Sequence, residues 1–323
     1  KEAKRRRERA NYKAVMVNDI KPDRTEISLD GDWLFMPEYQ LDDKAKAVSA
    51  TTDDEDWHVM QVPNFWNPIR IWLHGETMPT PNGPNPKGVS DTYYQQETDR
   101  CEGYTFDYRK TGTAWYRQWL ELPTDIKGKQ LTLSFDAVSK MAEVYVNGQL
   151  AGSNVGMFGD FQVDATDFLH PGRNVVVVKV TRDISGAAAQ TSDAMENYYS
   201  SVRKDVEDNK NDQRANRKVL TDIPHGFYGD NPAGIWQPVK LVISNPLKVE
   251  DVFIKPTLDG ASMDITVKNH SARKKNFDIR VDIVDKQTGE TLYGAPVLTK
   301  LALTANGENM YTCSIDGLKP KFR

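Results

Sequence analysis

Apolar and polar positions alternate through the middle of this chain. Leu131, Leu133, Phe135 and Ala137 take every second position of one run, and Val144 and Val146 do so in the next. A period of two puts alternate side chains on one face of a strand. The second run ends at Asn147-Gly148, a dipeptide that accepts the positive φ angles of a tight hairpin turn. A third run, Val175 to Val180, is almost continuously apolar and β-branched, which predicts a strand buried on both faces. Pro171-Gly172 marks the turn before it. Thr113 to Val180 is therefore expected to form the centre of an antiparallel β-sandwich.

The flanking segments are read against that centre. Ile27 to Met36 predicts one strand, with Trp33 and Phe35 on a shared face, and Leu41 to Glu55 lacks a strand period and predicts a loop. Trp57 and Trp66 are expected in the core. Pro68 to Gly112 holds five prolines, five glycines and Tyr93, Tyr94, Tyr104 and Tyr108. It predicts a long irregular loop, whose aromatics either present stacking faces to a ligand or pin the loop to the sandwich. In a second insertion, Asp183 to Ala233, the residues Met195, Tyr198, Tyr199, Val202 and Val206 fall at helical spacing behind Asp193 and Glu196. That predicts one amphipathic helix over Asp193 to Val206. A turn-rich loop, His225 to Pro232, then feeds a closing strand with Val239, Leu241 and Ile243 on one face. Beyond Asn245-Pro246 the alternation resumes in Met263/Ile265/Val267, Phe277/Ile279/Val281/Ile283 and Tyr311/Cys313/Ile315. Asp259-Gly260, Thr288-Gly289 and Asn306-Gly307 punctuate these strands, a pattern that suggests a second sandwich of immunoglobulin type.

An ordered set of short motifs runs through the first region: Leu29 to Trp33 (LDGDW), Trp57…Val62-Pro63…Trp66, Trp115-Tyr116-Arg117, Val146-Asn147-Gly148, Asp164 to Thr166, Gly172 to Asn174, and Gly234 to Val239 (GIWQPV). Together they resemble the N-terminal sugar-binding jelly-roll domain of glycoside hydrolase family 2, the family of β-galactosidases, β-glucuronidases and β-mannosidases. The resemblance implies an all-β chain, a galactose-binding-like jelly-roll β-sandwich followed by an immunoglobulin-like β-sandwich. The expected divisions are a basic leader (1–25), the jelly roll (26–245) and the second sandwich (246–323), whose completeness is left open. In the family a (β/α)₈ barrel follows and carries two catalytic glutamates, the acid/base after an asparagine; no Asn-Glu dipeptide occurs here. The implied function is that of a non-catalytic N-terminal portion of a β-glycosidase, with carbohydrate and the barrel as partners and no catalytic residue of its own. A stand-alone carbohydrate-binding protein and a structural or interaction module are the alternatives. The implied rim of a sugar site falls on the two insertions, at Trp72 and His74 in the first and Tyr228, Asp230 and Asn231 in the second. Where the family often has arginine after the GI-aromatic triplet, this chain has Gln237.

Composition narrows the remaining classes. The 323 residues suggest two domains, and 38% hydrophobic with 27% charged residues is ordinary for a globular protein. A net charge of −4 gives no general attraction to nucleic acid or anionic membrane, and no apolar run approaches a membrane span. Lys1 to Arg9 is locally basic but lacks interleaved aromatics, so it reads as a solvated or helical leader rather than a nucleic-acid arm. His58, His74, His170, His225 and His270 are scattered, and no metal or cofactor is expected. Cys101 and Cys313 fall in different expected domains and read as unpaired thiols. The first residue is Lys1 rather than methionine; a periplasmic or extracellular location is expected if a signal peptide was removed.

Overall fold

The computed structural model describes residues 1–68, 70, 71, 89–182, 227, 228 and 233–317. Three α-helices occur among them: α1 (Glu2–Asn11), α2 (Lys44–Val48) and α3 (Val89–Glu102). The first fifteen strands are β1 (Val15–Met16), β2 (Arg24–Ser28), β3 (Gly31–Pro37), β4 (His58–Val62), β5 (Arg70–Ile71), β6 (Thr113–Leu122), β7 (Gln130–Phe135), β8 (Val138–Ser139), β9 (Met141–Val146), β10 (Gln149–Val155), β11 (Phe161–Asp164), β12 (Gly172–Thr181), β13 (Phe227–Tyr228), β14 (Gly234–Ile235) and β15 (Val239–Ser244). Five more follow: β16 (Leu247–Pro256), β17 (Ala261–Asn269), β18 (Lys275–Val284), β19 (Thr291–Leu303) and β20 (Glu308–Ile315). The chain divides into two compact units. The first is Lys1–Lys21, Thr25–Lys127 and Leu131–Ile243; the second is Pro22–Arg24, Gly128–Gln130 and Ser244–Arg323.

The first unit is a two-sheet sandwich. One sheet runs β10-β9-β12-β6-β3-β4, with β1 alongside β6, and the other runs β11-β7-β15-β2. The core between them is built from the alternating positions of the sequence, including Leu131, Leu133, Phe135, Val144 and Val146. The continuous run of β12 is buried on both faces, as its composition predicts. Val176, Val178 and Val180 enter the inner core. Val175 and Val177 enter a second apolar layer with Tyr12, Leu34, Met36, Ala47, Trp57, Trp115 and Trp119. The turn at Asn147-Gly148 has φ of 50° and 88°, the left-handed pair that a tight hairpin demands, and it joins β9 to β10.

Several elements differ from the sequence expectation. Ile27 to Met36 is not one strand. β2 lies in the four-stranded sheet and β3 in the seven-stranded one. The chain crosses between them at Leu29-Asp30, where Leu29 is fully buried and Asp30 Oδ1 accepts the Val239 N–H at 2.9 Å. Gly31, at φ 119°, supplies the backbone that a side chain would resist. The supposed loop Leu41 to Glu55 contains α2, capped by Asp43, whose Oδ1 accepts the Ala45 N–H at 2.9 Å. The first insertion is not wholly irregular, because α3 fills Val89–Glu102 and ends at Gly103. Tyr104 and Tyr108 pin this segment to the sandwich: Tyr104 stacks on Phe106 at 4.8 Å, and Phe106 packs on Phe35 at 4.6 Å. The amphipathic helix expected over Asp193 to Val206 lies outside the described residues.

The second unit is a smaller sandwich. β16-β17-β20 form one sheet and β18-β19 the other. Met263, Ile265, Val267, Ile279, Leu303, Cys313 and Ile315 fill its core, on the faces that the alternation assigns. Cys101 and Cys313 are both buried free thiols, one in each unit. Burial pushes the Cys101 thiol up to about 12, so it stays protonated at neutral pH.

Candidate functional site

Most of the motif residues are fasteners. Asn147 Nδ2 donates to Phe168 O and to Asn174 Oδ1, both at 2.8 Å, while its Oδ1 accepts the Val175 N–H at 2.9 Å. Asn174 in turn donates to His170 O and Gly172 O at 2.7 and 2.8 Å. Thr166 Oγ1 accepts the Leu131 N–H at 3.0 Å, and Trp33 Nε1 donates to Leu29 O at 2.7 Å. These side chains satisfy backbone groups at strand ends that would otherwise be buried unpaired.

Arg117 is completely buried, between the rings of Trp57 and Trp119 at 5.1 and 5.3 Å. Its charge faces Asp54, whose Oδ2 lies 3.6 Å from Arg117 Nε and accepts Trp119 Nε1–H at 2.7 Å. Asp54 Oδ1 takes Arg9 at 2.5 Å. Burial drives the Arg117 guanidinium down, and the Asp54 charge opposes that shift. With both oxygens of Asp54 engaged, this is a buried ionic clasp rather than a reactive carboxylate. It also accounts for the basic leader. Arg9 and Arg5 of α1 pair with Asp54 and Asp56, and Lys4 donates to Gly103 O. Sequence reasoning missed this centre because its members are far apart along the chain and Asp54 sits in a segment without pattern.

The ends of the two insertions come together. β5 and β13 pair antiparallel, Ile71 opposite Phe227 and Arg70 opposite Tyr228. Nearby, Asn64 N–H donates to Ile235 O at 2.7 Å and Trp66 N–H to Ala233 O at 2.9 Å. Buried Asn67 accepts the Ala233 N–H on Oδ1 at 3.0 Å. Gly234 has φ 145°, and a Cβ there would collide with Asn64 O and approach Tyr116 Oη to 3.2 Å. The first residue of GIWQPV is therefore glycine for reasons of space. Beside this seam, Trp236 stacks on Phe65 at 5.3 Å and meets the edge of Phe158 at 5.8 Å. Trp236 Nε1 donates to Met157 O at 2.8 Å, and Phe158 is half exposed. The one sequence signal for Phe158 as an outward-pointing ring is its place between Gly156 and Gly159. Of the five expected rim residues, Tyr228 lies in β13, while Trp72, His74, Asp230 and Asn231 lie outside the described residues.

His58 is a strongly perturbed imidazole. It is buried; its Nε2–H donates to Gln40 Oε1 at 2.7 Å, and Thr105 Oγ1–H donates to its Nδ1 at 2.6 Å. Burial, with the charges of Arg5 and Lys1, pushes it down to about 4, so it is neutral at pH 7. Among the described residues no group of three or more His, Cys, Asp or Glu is placed to hold a metal ion. No helix among them is long and apolar enough to cross a membrane.

Comparison with known proteins gives the same resemblance over part of the chain. Residues 87–236 match the family described as glycosyl hydrolase 2 galactose-binding domain-like. A putative beta-glucuronidase of Formosa agariphila is 26% identical over 185 residues, covering 57% of this chain and 18% of the relative. A beta-galactosidase of Thermoanaerobacter pseudethanolicus is 24% identical over 271 residues, covering 82% of this chain and 27% of the relative. This chain therefore spans less than a third of the length of either relative. Among solved structures, Bacteroides uniformis beta-glucuronidase superimposes with a TM-score of 0.60 at 20% identity, over 93% of this chain and 28% of that one. Bifidobacterium dentium beta-glucuronidase complexed with coumarin-3-O-glucuronide gives 0.53 at 18% identity, over 94% and 44%. The fold is common to this chain and the two solved structures. The motifs, the paired sheets and the family match agree on the region they share: residues 87–236 match the glycosyl hydrolase 2 galactose-binding domain-like family, within a sandwich that the solved structures also show.

Proposed function

We propose that this chain serves as the non-catalytic N-terminal portion of a β-glycosidase of family 2, with carbohydrate and a catalytic barrel as its partners. Residues 26–245 act as the sugar-site domain and residues 246–323 as an immunoglobulin-like spacer. The relatives are β-glucuronidases and β-galactosidases several times longer than the matched part, which supports a contribution to glycoside hydrolysis made together with further sequence. The observation that carries the rim assignment is the pairing of β5 with β13, which ties the base of the first insertion to that of the second. On this reading Trp72, His74, Tyr228, Asp230 and Asn231 line one rim of the sugar site. Aromatic faces would pack on pyranose C–H groups, and Asp and Asn would bond hydroxyls.

The test compares this chain with the full-length gene product on aryl β-glucuronides, β-galactosides and β-mannosides. The expected result is no turnover by the isolated chain and turnover by the longer protein. Trp72→Ala or Asp230→Ala in the longer protein should raise KM or lower kcat without changing the melting temperature. Turnover by the isolated chain that vanishes on mutating one of its own carboxylates overturns the reading, as does full activity in both variants.

A further inference from the structure

A cleft of about 330 Å³ opens in the first unit between α1, the β3–β4 pair and the segment that follows α3. That volume lies at the lower end of small-molecule sites, about 300–1,000 Å³, and suits a single sugar ring better than a chain of them. Its floor is rigid. Asp32 and Gln61 stand directly opposite each other across β3 and β4, and Gln61 Nε2 donates to Asp32 Oδ1. Val59, two residues before Gln61, shares its face of β4 and gives the floor an apolar patch.

The charges around the cleft are largely spent within the protein. Lys4 donates to Gly103 O and lies 3.5 Å from Glu8. Arg100 is held by Glu97 at 2.5 Å and donates to Phe65 O at 3.1 Å. Hydrogen-bonding capacity nevertheless remains. Asp32 Oδ2 takes no hydrogen bond among the described residues. The Asn64 amide uses its oxygen on the Phe65 N–H at 2.9 Å, which leaves its NH₂ to donate. An acceptor, an amide donor and an amide of mixed character around a small apolar patch match the alternating hydroxyls and C–H face of a pyranose. A phosphate or a carboxylate would instead face the carboxylates of Asp32 and Glu8, with the lining cations Lys4 and Arg100 already engaged.

We propose that this cleft is a binding site for an uncharged, hydroxyl-rich ligand of monosaccharide size, held by Asp32, Gln61 and Asn64 over Val59. The proposal does not depend on the rim residues. The test titrates the chain with methyl β-D-galactopyranoside and with D-glucuronate, reading amide chemical shifts. The expected result is saturable millimolar binding of the neutral pyranoside, with the largest shifts at Gln61 and Asn64, and weaker binding of glucuronate. Gln61→Leu and Asp32→Asn should each weaken binding about fivefold, the loss of one hydrogen bond, with melting temperatures unchanged. No saturation overturns the proposal. So do binding that survives both variants unchanged and binding of glucuronate tighter than the neutral sugar.

Discussion

The two sandwiches of this chain use the same strand pattern and reach different depths of burial. In the first unit the central strands of the seven-stranded sheet, β12, β6 and β3, are covered on both faces. The four-stranded sheet packs on one side, and on the other Tyr12, Ala47 and Trp57 pack over the sheet's own Trp115 and Trp119. In the second unit each sheet buries one face, and even that cover is incomplete. Val252 and Ile254 of β16 pair across from buried Ile265 and Met263, yet are 43% and 57% exposed. Among the described residues only β18 and β19 oppose the three-stranded sheet. A second covered face lets a sheet accept continuous apolar runs and even a buried cation. A one-sided sheet needs strict alternation and leaves its edge open.

The largest expected effect attacks the second layer of the first unit. Asp54→Ala leaves Arg117 charged and without its counter-ion in a site with no solvent access, at a cost of about 3–5 kcal/mol. Urea unfolding of the first unit measures it; a loss below 1 kcal/mol would mean that the clasp does not stabilise the layer. Acid should act on the same side of the molecule. Native His58, at about 4, binds fewer protons than its unfolded form, whose value is near 6.5. Its contribution is fully present above about pH 6.5 and is lost as pH falls toward 4, by about 3 kcal/mol. The difference between wild type and His58→Gln, measured at pH 7 and pH 4.5, isolates that slope. Gly148→Val should cost about 1–3 kcal/mol, because a β-branched residue resists φ near 88°. An unchanged melting curve would show that the hairpin relaxes freely. The smallest effect sharpens the contrast from the other unit. Ile254→Thr, on the open edge, should stay within about 0.5 kcal/mol of wild type. A loss of 2 kcal/mol would mean that β16 is covered in solution.

Much of the fold was legible because apolar periodicity reports burial directly. The unbroken valines of β12 announced two covered faces, and the alternation of β17 announced one. What escaped was set by contacts remote in sequence. The break between β2 and β3 depends on Asp30 reaching Val239, and no local window over Ile27 to Met36 contains that bond. α3 escaped because the run Gln95-Gln96-Glu97-Thr98-Asp99-Arg100 shows no apolar stripe. The motifs behind the family resemblance proved to be Asn147, Asn174, Thr166 and Gly234, which hold backbone in place. They carried the fold, and the rim residues had to be inferred from insertion boundaries instead. Of those boundaries, the β5–β13 pair lies among the described residues.

Helix α1 buries none of its own residues, and polar contacts attach it to the sandwich. Such an element has a free energy of opening of its own. Its amides should exchange with solvent through local detachment, well before the strands of the central sheet open. Arg5 and Asp56 are the more accessible pair, and raising salt shortens the reach of their attraction to about 3 Å at 1 M. The partly buried Arg9–Asp54 contact is shielded from that effect. Ionic strength should therefore loosen the helix from its first turn inward, with Tyr12, bonded to Gln118 and to the Trp119 amide, as the point where detachment stops.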